Sequence, residues 1–375
     1  MVEALFWICA ALLVYAQLGY GVLLALLTKL QRNSNANLKG SDPFSKDVPR
    51  VSLIVAAYAE EDVIAGKVAN AKALDYPGEL EIIVACDGSP DATAQRARDA
   101  GADLVLELPR GGKIRAQDQA VERATGDVVA FGDANALWEP DALRELVAPF
   151  ADPAVGYVCG QVRFVNDAGT NQEGLYWRYE MALRSCESRL ASVTGGNGAI
   201  YATRRSDYLV VDPVMGHDLS FPFNMVKRGR RAVYAPAARA TEKMVPTIEG
   251  EFARKRRMMS HAWPIVVRGG LLSPRGYSPL YALMIFSHRL LRYAAPFLHV
   301  AALALNLALL GDGPVYVATL AVQAAVLLAA ALPVRARAAL VARYYVLTNA
   351  SIALGLFDWL RAGTEAHWTP PEGTR

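Results

Sequence analysis

The sequence predicts an α/β domain with a mostly parallel sheet, flanked at both ends of the chain by helices that span a membrane. Short apolar runs alternate with polar stretches of helical length, and several of these runs end in an acidic or glycine-rich turn. Long apolar stretches precede and follow this region. We therefore expect six segments: an N-terminal transmembrane helix (1–30), a linker (31–49), the α/β domain (50–265), an amphipathic interfacial segment (266–293), two to three transmembrane helices (294–361) and a polar C-terminal tail (362–375).

Composition narrows the class of protein. Of the 375 residues, 53% are hydrophobic, which suits one substantial soluble domain joined to membrane segments. The net charge is only +3 and no long basic tract is present, so we expect no nucleic-acid partner. Positive residues cluster locally instead, which suits anionic ligands or lipid headgroups. Four cysteines without a CxxC pair indicate neither a zinc site nor a disulfide framework, and this fits a reducing compartment.

The first apolar segment, Ala4–Leu27, is long enough to cross about 30 Å of hydrocarbon. It has no basic leader and no A-x-A cleavage site, which favours an uncleaved anchor. Lys29, Arg32 and Lys39 follow the segment, whereas only Glu3 precedes it. Because positive residues favour the cytoplasmic side of a membrane, we expect the α/β domain in the cytoplasm.

Four strands are expected in the first half of the α/β domain. Each is a short apolar run followed by a polar stretch of helical length, which is the pattern of βαβ units with parallel strands. Ligands of open α/β sheets bind at the carboxyl ends of the strands, so residues at or just after those ends are candidates for ligand contacts. These candidates are Tyr58 to Glu60, Asp87 to Ser89, Lys113, and Asp133 to Asn135.

The fourth strand, residues 128–131, leads directly to Asp133 and Asn135. Two oxygen-bearing side chains at positions i and i+2 suit a hard divalent cation that also holds a phosphate. An Asp-x-Asn sequence also forms ordinary turns. The metal hypothesis gains its weight from the other strand ends, which point to the same site.

The second half of the domain is less regular. It still alternates between apolar runs and amphipathic stretches, and glycines mark the turns between them. Strands are expected over 156–165, within 195–205 and after Gly229, and helices over 171–190, from His217–Asp218 to Gly229, and over 249–263, where the helix is strongly basic.

Beyond residue 273 the chain is apolar again. Residues 278–293 are typical of an amphipathic entry segment, with Arg289 and Arg292 at the level of the lipid headgroups. Residues 294–310 and 314–333 are expected to form two spans joined by a tight GDG turn.

Three arginines, Arg335, Arg337 and Arg343, indicate that the loop after these spans is cytoplasmic. The stretch 344–360 is either a further span or a tilted, interfacial helix, because it is short and carries polar residues. The side of the membrane on which the tail lies depends on this last segment.

Five motifs together resemble the nucleotide-sugar half of the family 2 glycosyltransferases with a GT-A fold, a Rossmann-like architecture. They are VSLIVAAYAEEDVI, IIVACDGSPDAT, GGKIRAQDQAVERATGDVVAFGDAN, GAIYATRR and GHD, in this order. The resemblance covers roughly residues 50–265 and extends more loosely over FSHRLLRYAAPF, which is similar to the membrane entry of bacterial inner-membrane members. A distant similarity to hyaluronan and cellulose synthase-like enzymes is implied.

The resemblance implies a donor site for a nucleotide sugar. Asp87 would accept a hydrogen bond from the base, and the backbone of Ala57 and Tyr58 would flank the ring together with Glu60. Lys113 would reach the diphosphate as a point charge. Ordinary structural roles are the alternatives: a helix cap for Asp87, a solvated helix start for Glu60 and a solvated surface position for Lys113.

The resemblance also implies the metal and the base. The family positions matched by Asp133 and Asn135 hold Mg²⁺ or Mn²⁺ against the diphosphate, and Asn in place of the second acid lowers the charge of the site. Asp218 would deprotonate the acceptor hydroxyl, with an N-cap as the structural alternative. His217, in place of a first acid, would contact the base or the acceptor, or serve as an ordinary helix-start histidine.

The basic helix is similar to the family's QxxRW motif without matching it, because the Gln is absent and the Arg–Trp spacing is longer. Arg256 or Arg257 would neutralise the departing diphosphate, and Trp263 would stack against the acceptor sugar. The same helix is also suited to lipid contact, and we expect both roles on different faces. Gly196 and Asn197 would form the floor of the acceptor pocket, or a simple turn.

We therefore expect an inverting, metal-dependent glycosyltransferase at a bacterial-type inner (plasma) membrane. It would transfer a sugar from a nucleotide donor, with a UDP-sugar favoured, to a lipid-linked or growing glycan acceptor. A processive polysaccharide synthase that exports its product is the enzymatic alternative. A membrane-tethered nucleotide-binding regulator is the alternative without catalysis. The sequence leaves the sugar, the acceptor, the linkage and the oligomeric state open.

Overall fold

The computed structural model describes residues 1–34, 48–165, 174–243, 247–332 and 336–367. Most of the predicted linker, Arg335 and the tail from Trp368 onward lie outside these described residues. The described strands form a single sheet, which is covered by helices on both faces. Helices from the two ends of the chain pack on one another, with the first helix against a helix of the C-terminal part.

The sheet contains eight strands within the described residues: β1 (Val51–Ala57), β2 (Leu80–Asp87), β3 (Leu104–Leu108), β4 (Val128–Asp133), β5 (Leu137–Trp138), β6 (Val155–Val165), β7 (Ile200–Arg204) and β8 (Arg231–Lys243). Their order across the sheet is β3-β2-β1-β4-β7-β6-β8-β5. The first four are mutually parallel, β6 and β8 are parallel to each other, and β7 and β5 are antiparallel to their neighbours. The predicted α/β domain with a mostly parallel sheet is confirmed.

The helices of the described ranges alternate with these strands in the central domain and follow one another at both ends. They are α1 (Val2–Val14), α2 (Tyr20–Ser34), α3 (Ile64–Lys72), α4 (Thr93–Asp99), α5 (Lys113–Arg123), α6 (Ala142–Val147), α7 (Gly174–Leu190), α8 (His217–Lys227), α9 (Ile248–Val267), α10 (Pro279–Met284), α11 (Leu291–Ala308), α12 (Pro314–Ala331) and α13 (Arg337–Ala362).

The central strands are mostly apolar because both faces of the sheet are covered. Leu53 of β1 packs into a core with α3 and α6, whereas its neighbour Ile54 packs into a core with α5 and α8. Both side chains are fully buried. Successive residues of a strand point to opposite faces, so a doubly covered strand has no solvent-facing positions and reads as a continuous apolar run.

The register of the parallel strands brings the predicted site residues to one edge. Ala57 at the end of β1 is opposite Cys86 of β2, and Ala56 is opposite Asp133 of β4. Tyr58, Asp87 and Asp133 therefore follow or end adjacent strands at the same level. The carboxyl edge of β1, β2 and β4 is the place where this fold class binds ligands.

Four helices of the described residues are long and apolar enough to cross a membrane. The expected entry segment and the span after it form one continuous helix rather than two elements, with a π turn at Ile285–Leu290. Arg292 of this helix does not face the headgroups, because its guanidinium pairs with Glu180 at 2.7 Å. The four helices are Val2–Gln31, Pro279–Ala308, Pro314–Ala331 and Arg337–Ala362.

The last helix, α13, begins at Arg337, earlier than the sequence predicted, and packs on the basic helix α9. Asp358 accepts two hydrogen bonds of 2.6 Å from Arg256. Gly355 brings the two backbones close, since a Cβ at this position would lie 2.6 Å from Met259. These contacts favour a helix that rests on the α/β domain, which is the interfacial alternative for this segment.

A buried polar cluster joins the α/β domain to the apolar helices. The carboxylate of Glu187 on α7 accepts hydrogen bonds of 2.6 Å from the hydroxyl of Tyr20 and 3.0 Å from the backbone of Thr194, and it contacts His288 Nδ1 at 2.6 Å. Burial alone would raise the pKa of Glu187, but the charge and hydrogen bond of His288 hold it at about 2. The ionised carboxylate of Glu187 on α7 therefore contacts both the N-terminal helix Val2–Gln31 and the Pro279–Ala308 helix.

We predict that Glu187→Ala lowers the free energy of unfolding by about 3–5 kcal/mol, because it leaves buried polar partners without their carboxylate. Thermal unfolding of the full chain in detergent checks this, with the exposed Glu122→Ala as the matched control. Equal melting temperatures for the two variants would show that the cluster does not hold the helices to the domain.

Candidate active site

The loop between β3 and α5 is shaped by Asp87. Its buried carboxylate accepts hydrogen bonds from the backbone N–H groups of Gly111 at 2.6 Å and Gly112 at 2.9 and 3.0 Å, and it pairs with Arg110 at 3.0 Å. Gly112 has a φ of +93°, a backbone conformation that favours glycine, and a side chain there would collide with the carbonyl of Ala366. Asp87 therefore orders the glycine loop, and the segment after α13 lies on it.

Tyr58 and Arg110 form the wall beside Asp87. The guanidinium of Arg110 stacks on the ring of Tyr58 at 3.1 Å from its centre. The next residue, Ala59, has a φ of +52°, and its N–H donates to Ser89 Oγ at 3.2 Å. This planar pair at the ends of β1 and β2 is suited to a flat, aromatic group such as a nucleobase.

Glu60 is buried, so it does not start a solvated helix. Helix α3 begins only at Ile64, and the carbonyl of Glu60 accepts the N–H of Ile64 at 2.9 Å. The N–H of Glu60 donates to Thr93 Oγ1 at 2.9 Å. Its backbone therefore ties the end of β1 to the start of α4.

Lys113 and Asp133, expected to contact the diphosphate and the metal, meet directly. The ammonium of Lys113 donates to the carboxylate of Asp133, and the carbonyl of Gly198 lies 3.4 Å away. Lys113 is the first residue of α5, held in place by the glycine loop, and Asp133 is the last residue of β4. The structure thus brings together a cation and a carboxylate from two strand–helix units. A metal-bound diphosphate would require both of these charges.

Asp133 and Asn135 supply a carboxylate and an amide oxygen, the hard donors that Mg²⁺ and Mn²⁺ accept. Among the described residues, no group of three or more His, Cys, Asp or Glu side chains could hold a metal ion. The donor set therefore fits a divalent ion that takes its other ligands from a diphosphate and water. It does not fit a metal held by protein alone.

Asp218 lies at the start of α8, in the second position of the helix. The N-cap of this helix is Gly216, so the predicted capping alternative for Asp218 is not what the helix shows. The carbonyl of Asp218 accepts the N–H of Gly196 at 2.6 Å. Its half-buried carboxylate is not engaged in any ion pair within the described part of the chain, which leaves it available as a proton acceptor.

The turn before β7 lies between Asp218 and Asp133. The N–H of Gly196 donates to the carbonyl of Asp218, and the carbonyl of Gly198 lies 3.4 Å from Lys113, which contacts Asp133. Burial, followed by the negative charges of Asp133 and Asp218, raises the pKa of the nearby Tyr201 well above its ordinary range. The predicted metal ligand and the predicted base therefore flank the same turn.

His217 is buried below this site rather than exposed to an acceptor. Its Nδ1 lies 2.8 Å from the hydroxyl of Tyr201, and its ring stacks on Phe221 at 4.0 Å. Burial, with a smaller effect of the Lys113 charge, lowers the pKa of His217 to about 3. It is neutral and structural, which agrees with the ordinary helix-start alternative.

The Gly195–Gly196 turn is enclosed by side chains from the domain and from the apolar helix. A Cβ at either position would collide with Arg289 or with Tyr157, respectively. Arg289 Nε donates to Thr194 Oγ1 at 3.0 Å, and no carboxylate lies within 4 Å of its guanidinium among the described residues. A helix that is long and apolar enough to span a membrane thus presents a cation to the Gly195–Gly196 turn, whose Gly196 N–H donates to the carbonyl of Asp218.

The amide of Asn197 is used within the turn. It donates to the carbonyl of Gly160 at 2.7 Å and accepts the N–H of Ile200 at 2.9 Å. Asn197 therefore fixes the entry into β7, as in the simple-turn alternative.

The basic helix α9 divides its side chains between two neighbours. Arg256 pairs with Asp358, and Trp263 donates to the carbonyl of Ile352 at 3.0 Å, so both face α13 rather than the acceptor pocket. His261, one turn after Arg257, contacts the carbonyl of Val214 at 3.1 Å.

Burial lowers the pKa of His261; the charge of Arg257 lowers it further, and the charge of Asp218 raises it. The Arg257–His261 face of α9 therefore meets the segment just before α8, the helix that carries Asp218.

Sequence reasoning missed Tyr201, His261 and Arg289 as members of the site. His261 and Arg257 are spaced i and i+4, which puts them on one helix face, and this spacing is visible in the sequence. Arg289 carried a signal as well, since a charged residue inside an apolar helix marks a functional contact. Its partner was hidden because Thr194 lies 95 residues away.

Comparison with known proteins agrees with this geometry. The family model described as Glycosyl transferase family 2 matches residues 52–209. An N-acetylglucosaminyltransferase of Rhizobium leguminosarum bv. viciae is 28% identical over 269 residues, which are 66% of this chain and 63% of that protein. A beta-monoglucosyldiacylglycerol synthase of Synechocystis sp. is 32% identical over 207 residues, which are 52% of this chain and 42% of that protein. The chain spans less than two thirds of the length of these curated relatives.

The fold is shared with a solved structure over nearly its whole length. Mannosyltransferase PcManGT from Pyrobaculum calidifontis, in complex with GDP-Man and Mn²⁺, matches with a TM-score of 0.75, 24% identity and coverage of 96% of this chain and 99% of that one. The α/β domain has the expected GT-A fold, with apolar helices at both ends of the chain. Residues 52–209 form a glycosyl transferase family 2 domain.

Proposed function

We propose that the chain is an inverting, metal-dependent glycosyltransferase that moves a sugar from a nucleoside-diphosphate donor, with a UDP-sugar favoured, to an acceptor presented at the membrane surface. The contact of Lys113 with Asp133 carries this proposal, because Lys113 also lies 3.4 Å from the carbonyl of Gly198, in the turn whose Gly196 N–H donates to Asp218. It supports a diphosphate site and a proton acceptor within one pocket. The relatives named above transfer sugars, and the related mannosyltransferase structure holds a nucleotide sugar with Mn²⁺.

The donor lies along the carboxyl edge of the sheet. Its base stacks near Tyr58 and Arg110, and Asp87 holds the glycine loop against the diphosphate. Asp133 and Asn135 hold the divalent ion, which when bound stabilises the negative charge on the departing diphosphate. Lys113 leaves Asp133 to contact the diphosphate as a point charge.

Asp218 acts on the acceptor. Its carboxylate takes the proton from the acceptor hydroxyl while the hydroxyl oxygen forms a bond to the anomeric carbon. The bond between that carbon and the diphosphate oxygen breaks, and the nucleoside diphosphate leaves with the electron pair. A single displacement of this kind inverts the configuration at the anomeric carbon. The half-buried position of Asp218 without an ion pair supports this role.

The acceptor enters from the membrane side of the pocket. Arg289 on the Pro279–Ala308 helix lies against Gly195, so an acceptor lying at the membrane surface meets this cation before it reaches Asp218. We infer that the chain crosses a bacterial-type inner membrane several times, with its α/β domain in the cytoplasm; the four long apolar helices support this inference. Because α13 rests on α9, few helices remain that could form a channel for a polymer. We therefore favour limited addition of sugars to the acceptor over processive synthesis with export.

We predict that Asp218→Asn lowers the transfer rate by a factor of about 10²–10⁴, the usual effect of removing a general base, and leaves donor affinity unchanged. A screen of nucleotide sugars with the purified full chain identifies the donor, and calorimetry then measures its affinity. Asp212→Asn, an exposed acid six residues upstream, is the control. Transfer by Asp218→Asn at the parental rate would overturn the assignment of Asp218 as the base. If the parent protein binds the donor but transfers no sugar, the alternative of a nucleotide-binding regulator is favoured.

Chelation of divalent ions is expected to abolish transfer. A chelator removes the ion held by Asp133 and Asn135, so that the charge on the leaving diphosphate is left to Lys113. Titration of Mn²⁺ or Mg²⁺ into chelator-treated protein should restore the rate. Full activity after chelation and dialysis would contradict the metal dependence.

We predict that Arg289→Gln raises the KM for the acceptor about tenfold and leaves the KM for the donor unchanged, because its cation lies at the acceptor side. Initial rates at varied donor and acceptor concentrations separate the two constants. Arg275→Gln, in an exposed loop before the same helix, is the control. An increase in the KM for the donor alone would contradict the assignment of Arg289 to the acceptor side of the pocket.

A further inference from the structure

A buried lysine lies beneath the loop that carries the metal ligands. Lys67 on α3 is 0% exposed, and its ammonium donates to the carbonyl of Ala136 at 2.6 Å. The ammonium also lies over the ring of Trp138, 4.9 Å from its centre. Residues 132–138 include both proposed metal ligands, so α3 reaches this loop from below.

Asn70, which lies one turn after Lys67 on the same face of α3, holds the end of this loop. Asn70 donates to the carbonyl of Trp138 at 2.9 Å and accepts its N–H at 2.8 Å. Gly132 leaves space for the lysine, since a Cβ there would come within 3.2 Å of Lys67 Nζ. The loop is therefore fixed from below by two side chains of one helix.

The charge of Lys67 is not matched by a direct ion pair. Within the described residues, no carboxylate lies within 4 Å of its ammonium, although a buried, unpaired charge is costly. Burial lowers the pKa of Lys67 to about 7, and the charges of Asp133 and Glu242 act in the opposite direction. Asp133 thus contacts Lys113, and the ammonium of Lys67 lies beside Gly132, the residue before Asp133.

We propose that Lys67 is a positioning residue whose ammonium holds the metal loop and offsets the charge of Asp133, so that a divalent ion binds together with the donor diphosphate and only weakly without it. This inference rests on the proposed function. Around Asp133, the positive charges of Lys113 and Lys67 oppose the attraction between this carboxylate and a free divalent ion. The diphosphate brings further negative charge and draws Lys113 away from Asp133.

A purely structural role for Lys67 predicts the opposite result. If the lysine only tethers the loop, its loss misplaces Asp133 and Asn135 and weakens every form of metal binding. If it also offsets charge, its loss strengthens the binding of the free ion. The sign of the change in affinity therefore separates the two roles, and it is measured without any turnover.

The experiment measures Mn²⁺ binding to the full chain in detergent through the paramagnetic resonance signal of the free ion. It is done at pH 6, where the Lys67 ammonium is charged, with and without UDP or GDP. Lys67→Met is compared with Lys72→Met, an exposed lysine of the same helix. We expect Lys67→Met to bind Mn²⁺ alone about tenfold or more tightly than the parent, and Lys72→Met to bind it as the parent does.

Unchanged or weaker binding of Mn²⁺ alone by Lys67→Met would overturn the inference. If that variant does not fold, the parent decides: it should bind Mn²⁺ at least about a hundredfold more tightly with UDP or GDP than without, and tight binding of the free ion would overturn the inference. Failure of the proposed function is seen separately, as the absence of transfer from every nucleotide sugar in the donor screen.

Discussion

The site depends on one buried carboxylate, that of Asp87, which holds the glycine loop between β3 and α5. The N–H groups of Gly111 and Gly112 point at this carboxylate, and the loop then turns into α5 with Lys113 as its first residue. Lys113 reaches Asp133 at the end of β4 only because this turn is fixed. The buried side chain of Asp87 therefore sets the distance between Lys113 and Asp133, the two charges of the proposed diphosphate site.

The sequence predicted the sheet well, because strands covered on both faces must be apolar throughout, and such runs are visible without any partner. It also placed Lys113 and Asp133 at one edge, since parallel strands share their carboxyl ends. It could not place Arg256 and Trp263, which face α13. Their partners, Asp358 and Ile352, are 102 and 89 residues away, and no local pattern reports such pairings.

The same limit explains His217, Asp87 and Arg292. Each was expected at a surface or against a ligand because it is polar. His217 is instead stacked within an aromatic core, Asp87 serves the backbone, and Arg292 pairs with Glu180 of α7. Polar residues can be buried when folding supplies their partners, and those partners come from distant elements. The polar cluster around Glu187 is a further case, and it makes the apolar helices and the α/β domain one body.

The packing of α13 on α9 has a consequence for the length of the last helix. Asp358 is fixed to Arg256, and a few residues later the carbonyl of Ala366 rests on Gly112. One inserted residue would advance everything after it by about 1.5 Å and turn it by about 100°, so neither contact could survive. The number of residues in α13 therefore determines where the segment after it meets the glycine loop between β3 and α5.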